Sequence, residues 1–395
     1  MIRRQDILDR AEEWQLRPDV VEKDYVLGWL LAALGADGET GKRWVFKGGT
    51  CIKKCYIETY RFSEDLDFSL TPDAAYEEVD LRAVLTSPIQ QAEMLSGVRF
   101  AIDAMELRPR QNRAAEKTYE VRLGYQGPMG GPATPKVRFD LTRSEPILLP
   151  PERRPIFHSY PDELPAGATV QCYPLEELLA EKTRALVERT RPRDLYDVVL
   201  LLESDELRPD LVRTREILGR KCAAKGIPTP TAAGLVALAA GSAELAAEWE
   251  NMLGHQLPAL PPLAGIIERL PTLLGWLGPR VVKEPASVSL RPASSAAGEV
   301  SALRGRPAAQ LWGMGLPLDL VRFAGANRLR VAFDYHGTQR DVEPYALRRP
   351  RTGNLLLYGW ERAAGHIKAF KVPEIRDLRV TDRTFTPRYR VELNG

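Results

Sequence analysis

Residues 61–70, RFSEDLDFSL, set two acids two positions apart in a run that otherwise reads as a strand. Side chains alternate along a strand, so Asp65, Asp67 and Ser69 share one face while Leu66, Phe68 and Leu70 share the other. The apolar set fills a core. Two like charges held rigidly side by side then demand compensation. A divalent cation supplies it: Mg2+ takes one or two carboxylates plus substrate phosphates. Paired ions clamp the attacking and leaving oxygens of a phosphoryl or nucleotidyl transfer. Ser63, two positions before Asp65, points its hydroxyl to the same side as the acids.

Upstream lies FKGGTCIKK, residues 46–54. It reads as the end of a strand, a glycine turn and the start of a helix. Gly48 and Gly49 let the backbone approach a ligand closely. Thr50 opens a helix whose unpaired N–H groups attract a triphosphate. This order, strand, Gly-Gly-Thr, helix and Asp-x-Asp strand, sets a phosphate cradle beside a metal site. Downstream, KVRFDLT (136–142) is a further strand with Arg138 and Asp140 on its polar face, which makes Asp140 a candidate third metal ligand. In PLEELLAEKTRALVER, Leu175, Leu178, Leu179 and Leu186 form a helical stripe, and Lys182 sits on it. The lysine either snorkels to water or needs an anion, for which a nucleotide phosphate is the candidate. RPRDLYDVVLLL then places Asp194 and Asp197 at the head of another helix, where Asp194 is also a candidate N-cap.

A chain of 395 residues exceeds one ordinary core. The expected division is 1–170, a core with N-terminal helices; 171–277, a helical part; 278–315, a linker rich in Ala, Ser, Pro and Gly; and 316–395, a small barrel. Hydrophobic residues at 44% and charged residues at 27% exclude a disordered chain. The N-terminus lacks the apolar core of a signal peptide, and no apolar run is long enough to span a bilayer, so a cytoplasmic protein is expected. Cys51 and Cys55 lie four apart on a predicted helix, and Cys172 and Cys222 read as isolated. Without a CxxC, they are expected to be reduced cytosolic thiols rather than a zinc site.

The last block reads as five short strands: RLRVAFDYHG, VEPYALRRP, NLLLYGWE, HIKAFKV and IRDLRVTD. Turn signals divide them at His336-Gly337, Thr352-Gly353-Asn354 and Ala364-Gly365. Residues 320–395 carry 15 Lys and Arg against 8 Asp and Glu, whereas the whole chain carries a net charge of only +2. A basic module suits a polyanionic partner.

Taken together, VEKDYVL, FKGGTCIKKCYIETYRFSEDLDFSL and LLAEKTRAL…RPRDLYDVV resemble the AbiEii/AbiGii nucleotidyltransferase toxins of the DNA polymerase β-like superfamily, over roughly residues 10–270. The resemblance implies an α+β fold built on a mixed nucleotidyltransferase sheet with a helical region. It also implies Mg2+-dependent transfer of a nucleoside monophosphate (NMP) from an NTP, and a role in toxin–antitoxin pairs or phage defence by abortive infection. Some similar members modify the tRNA 3′ end, so RNA, with tRNA foremost, is the expected acceptor, and a cognate antitoxin is an expected partner. Carried across, the glycine motif falls on Gly48, Gly49 and Thr50, the acidic motif on Ser63, Asp65 and Asp67, the lysine motif on Lys182 and the last motif on Asp194 and Asp197. Threonine stands where the wider superfamily usually has serine. The C-terminal block is similar to WYL domains, which resemble SH3/Sm-like barrels. That likeness implies a nucleic-acid or nucleotide ligand, with Arg340, Arg348, Arg349, Lys368 and Lys371 as expected contacts. Two further readings fit the residues: transfer to a protein or small molecule, and a binding regulator whose first domain holds nucleotide without turnover.

Overall fold

The computed structural model of the chain describes residues 1–58, 61–111, 116–131, 134–204, 207–278, 318–348, 355–389 and 391–393. The helical start expected from the sequence is α1 (Arg4–Glu13), α2 (Pro18–Ala36) and the short α3 (Thr40–Arg43). Pro18 at the first turn of α2 loses no hydrogen bond there. Helix α2 is buried on nearly every side, as its run of Val, Leu, Trp and Ala requires. It packs on α5 and β8, defined below.

Strand β1 (Trp44–Lys47) ends in α4 (Gly48–Cys51), which continues as one π-helical turn over Ile52–Tyr56. The acidic stretch forms β2 (Asp65–Leu70). There follow α5 (Glu78–Ser96), β3 (Arg99–Phe100), β4 (Glu106–Gln111), β5 (Lys117–Gln126), β6 (Lys136–Thr142), β7 (Glu152–Pro155) and β8 (Thr169–Cys172). Together these make a mixed eight-stranded sheet in the order β3-β5-β6-β2-β1-β8-β7, with β4 also paired to β5. β2 runs parallel to β6 and antiparallel to β1, and β1 runs parallel to β8. Leu66, Phe68 and Leu70 of β2 are buried, and Phe68 lies with its ring centroid 5.1 Å from that of Phe46 on β1. Each such side chain contributes about 2 kcal/mol of burial, which fixes which face the acids take.

The helical part comprises α6 (Leu175–Arg189), α7 (Pro192–Glu203), α8 (Leu211–Ala224), α9 (Ala232–Gly241), α10 (Ala243–Leu253) and α11 (Leu263–Leu273). The expected linker falls, beyond Gly278, outside the described residues up to 317. A C-terminal unit follows: α12 (Leu318–Ala326), β9 (Leu329–Tyr335), β10 (Thr338–Arg348), β11 (Leu356–Glu361), β12 (His366–Lys371) and β13 (Ile375–Thr384). Its five strands form a separate antiparallel sheet, β12-β11-β10-β9-β13. The first strand thus lies between the second and the last, with a 3-10 turn leading into the last. His336 and Gly337 both adopt positive φ, the twist a tight hairpin turn needs. The expected turn at 352–354 and Arg349 lie outside the described residues. The unit docks through a buried bond from the Tyr196 hydroxyl on α7 to the Asn327 side-chain oxygen, at 3.0 Å.

Candidate active site

Sheet register assembles the acids. Asp67 on β2 stands opposite Asp140 on the parallel β6, and opposite Lys47 on β1. Glu120 on β5 is in turn opposite Asp140, so one row crosses four strands: Lys47, Asp67, Asp140, Glu120. Asp65 belongs to the neighbouring row, opposite Arg138, whose guanidinium forks onto its carboxylate at 2.8 and 2.9 Å. The carboxylates of Asp67 and Asp140 make no hydrogen bond or ion pair among the described residues. Burial, then the carboxylates of Asp140 and Asp65, push the Asp67 carboxyl up to about 7 against the pull of Lys47 and Lys182. Asp140 is raised as well, by burial and then by Asp65 and Glu120. Hard oxygen donors, side by side and short of positive charge, fit a divalent cation such as Mg2+. Asp67 and Asp140 fit that description, whereas the third expected ligand, Asp65, is already paired with Arg138.

Gly48 makes the site possible. Its φ is +79°, and a Cβ there would lie 2.1 Å from Asp67 Oδ2. Lys47 is the cap residue of α4 and contributes no side-chain cap, so the first N–H groups of the helix have no side-chain acceptor. Gly49 makes room on the other side, where a Cβ would meet Arg61 Nη2 at 2.6 Å and Ser63 Oγ at 3.0 Å. The Thr50 hydroxyl is also committed, donating to the Asp65 carbonyl at 2.5 Å. It ties the helix start to the acidic strand, and only its backbone remains for a phosphate.

Lys182 has found its anion within the chain. Its Nζ lies 2.6 Å from Asp197 and 3.5 Å from Asp194. Asp197, fully buried, also takes a two-pronged contact from Arg61 at 2.8 and 2.9 Å. Burial pushes its carboxyl up, but Arg61 and Lys182 outweigh burial and hold it well below the ordinary range. Asp194 is not the N-cap of α7: that position is Arg191, and Asp194 instead takes both prongs of Arg189 at 2.6 and 2.9 Å. Arg61, Lys182 and Arg189 against Asp194 and Asp197 leave this cluster one positive charge in excess. Sequence reasoning passed over Arg61, although it opens the decisive stretch. A large cation next to an apolar residue and a glycine-rich helix start was the available signal.

A cavity of about 790 Å3 lies between these two groups, with Lys47, Gly48, Asp67, Asp140, Lys182 and Arg189 on its wall. Its size suits a nucleotide. Ser63, Asp65, Gly49 and Thr50, expected at the site, are not among the residues that line it, and Asp194 and Asp197 lie buried against Lys182. Lys47, buried, pairs with Glu145 and Glu181 at the far side. Burial lowers its ammonium's pKa, but the two carboxylates more than restore it, to well above the ordinary value.

The expected C-terminal contacts are elsewhere and engaged. Arg340 and Lys368 both pair with Glu361, Arg348 with Glu392, and Lys371 with Glu374. The local basic excess is therefore partly spent on internal carboxylates at these positions. Cys172, expected to be isolated, is not: β1–β8 pairing brings its sulfur to within 4.8 Å of those of Cys51 and Cys55.

A mixed sheet presenting an acidic triad beside a glycine-started helix and an anchored lysine defines a nucleotidyltransferase. The chain belongs to the AbiEii toxin family: the model for "Nucleotidyl transferase AbiEii toxin, Type IV TA system" matches residues 29–276. Membership makes NTP a substrate and an antitoxin a partner. Among curated proteins none matches the chain. Among solved structures it is similar to MenT4, a nucleotidyltransferase toxin of Mycobacterium tuberculosis, at 21% identity over 70% of this chain and 90% of that one, with a TM-score of 0.47. The proteasome accessory factor B/C of Arthrobacter aurescens shows 13% identity over 94% of this chain and 74% of that one, with a TM-score of 0.17. Neither likeness carries weight in the assignment. No helix among the described residues is long and apolar enough to cross a membrane.

Proposed function

We propose that the protein transfers an NMP from an NTP to the 3′ end of an RNA, tRNA in the first place, in the cytoplasm. The observation that carries this reading is the in-register pair Asp67 and Asp140, whose carboxylates form no ion pair among the described residues, on a nucleotide-sized cavity that Lys182 also lines. Asp67 and Asp140 would hold Mg2+, which when bound offsets the triphosphate charge and favours loss of pyrophosphate. Gly48 and Gly49 present backbone N–H groups to phosphate oxygens. Lys182 offers its ammonium to the same phosphates, and Asp197 and Asp194 keep it aimed. Arg138 fixes the orientation of the Asp65 carboxylate. Arg110, Arg184, Arg191 and Lys225 line the same cavity and give a polyanionic acceptor its approach.

The test incubates the purified chain with each labelled NTP, Mg2+, tRNA and cell extract. Label in the RNA 3′ end, falling on the order of a hundredfold or more in Asp67→Asn, is the expected result. Label in protein with none in RNA would overturn the acceptor. Transfer that survives Asp67→Asn would overturn the site.

A further inference from the structure

The thiol cluster stands apart from the acidic site. Cys51 lies at the end of α4, Cys55 in the π-helical turn one turn on, and Cys172 at the end of β8. All three are buried, and their sulfur atoms lie within 4.8 Å of one another. A π-turn bonds each N–H one residue further back than an α-helix does, and such turns are rare and frequently sit at functional sites. Three thiolates around one ion at the usual metal–sulfur distance of about 2.3 Å stand roughly 4 Å apart, inside the observed spacing. The Cys172 sulfur also lies 3.4 Å from the Glu152 carbonyl on the neighbouring strand β7. Arg154 lies alongside, bonding the Cys55 carbonyl at 2.9 Å, with its guanidinium 4.1 Å from the Tyr56 ring centroid.

We propose that Cys51, Cys55 and Cys172 form a binding site for a single thiophilic d10 metal ion. Three sulfurs, with no carboxylate or imidazole joined to the cluster among the described residues, suit a soft ion in trigonal coordination, Cu(I) ahead of Zn2+, which prefers four ligands in a structural site. Each thiol still protonated gives its proton to solvent as the ion binds. The site lies directly behind the nucleotide cradle, because Cys51 follows Thr50 in the helix that Gly48 begins. An ion there would fasten α4 to β8, and so fix the backbone that faces the phosphates.

The full chain, reduced and stripped of metal, is titrated anaerobically with Cd2+ as a divalent probe and with Cu(I) against a chromophoric chelator. One equivalent of ion giving a sulfur-to-metal charge-transfer band is expected. The band should disappear in Cys172→Ser and Cys51→Ser and persist in Cys222→Ser, whose sulfur is outside the cluster. It should also persist in Asp67→Asn, which separates this site from the carboxylates. The wild-type chain decides the matter even if the cysteine variants fail to fold. No band with either ion, or a band unchanged by Cys172→Ser, would overturn the site.

Discussion

At the scale of single residues, Gly48 is the position where backbone conformation and chemistry meet. An alanine there must hold a left-handed conformation, at a cost of about 1–2 kcal/mol. It must also displace the Asp67 carboxylate, from which its Cβ would be 2.1 Å. We expect Gly48→Ala to lose stability by that modest amount and NMP transfer by roughly a hundredfold, since small misplacements of reacting groups are that costly. Urea denaturation beside the labelling assay separates the two effects. The acids, the glycine pair and the lysine were legible because each is an odd residue type for its local pattern: acid in an apolar strand, lysine on a leucine stripe. Their partners were less so. Arg61, Arg138 and Arg189 are ordinary surface residue types, and only tertiary packing brings their guanidinium groups onto carboxylates.

At the scale of elements, legibility followed periodicity. Helix α6 carries a clear period and all five strands of the C-terminal sheet are bounded by turn residues, whereas α8 to α11 read only as one helical stretch and α12 was not expected where a barrel was. β3, β4, β5, β7 and β8 did not announce themselves. β4 is ELRPRQ, mostly exposed and with a proline, and β7 is ERRP; each pairs with one inner neighbour. Edge strands of this kind have little apolar alternation to read. The helix expected after the glycines also departs from regularity, since its continuation is π-helical. The ion-pair chain from the segment before β2 through α7 to α6 gives this scale its prediction. Asp197→Asn leaves Arg61, 2% exposed, and Lys182 with much of their compensation gone. Removing one partner of a buried pair costs about 3–5 kcal/mol. A chemical denaturation midpoint that does not move would show that the chain of pairs does not hold these elements together.

At the scale of the whole molecule, the junction between the nucleotidyltransferase part and the C-terminal unit carries a titratable group. Asp319 on α12 lines a small hollow with Trp14, Lys53, Glu58, Phe62 and Phe323. Burial, then Glu58, pushes its carboxyl up to about 6, against the pull of Arg322 and Lys53, with Glu13 adding to the rise. The folded protein therefore holds this proton more tightly than the unfolded chain, whose ordinary value is 3.8. Its contribution to stability is complete below that value and is lost as pH rises to about 6. The loss amounts to about 2–3 kcal/mol. Asp319→Asn should flatten this part of the pH profile and leave the variant the more stable protein at pH 7. Denaturation curves across that range check it, and a parent-like slope in the variant would refute it.

The row that crosses β1, β2, β6 and β5 also has a consequence for the order in which the protein is made. Asp67 acquires Asp140 as its neighbour only after 73 further positions have been synthesised, and Lys182 and Asp197 come later still. Gln256, which accepts from Arg61 at 2.9 Å, arrives last of the group. A nascent chain that ends with β6 at Thr142 therefore holds all three acids but not yet Lys182 or Arg189 of the cavity wall. The lining of the cavity is complete only at Lys225, a little past the middle of the chain, so more than half of the polypeptide is made before the product can act.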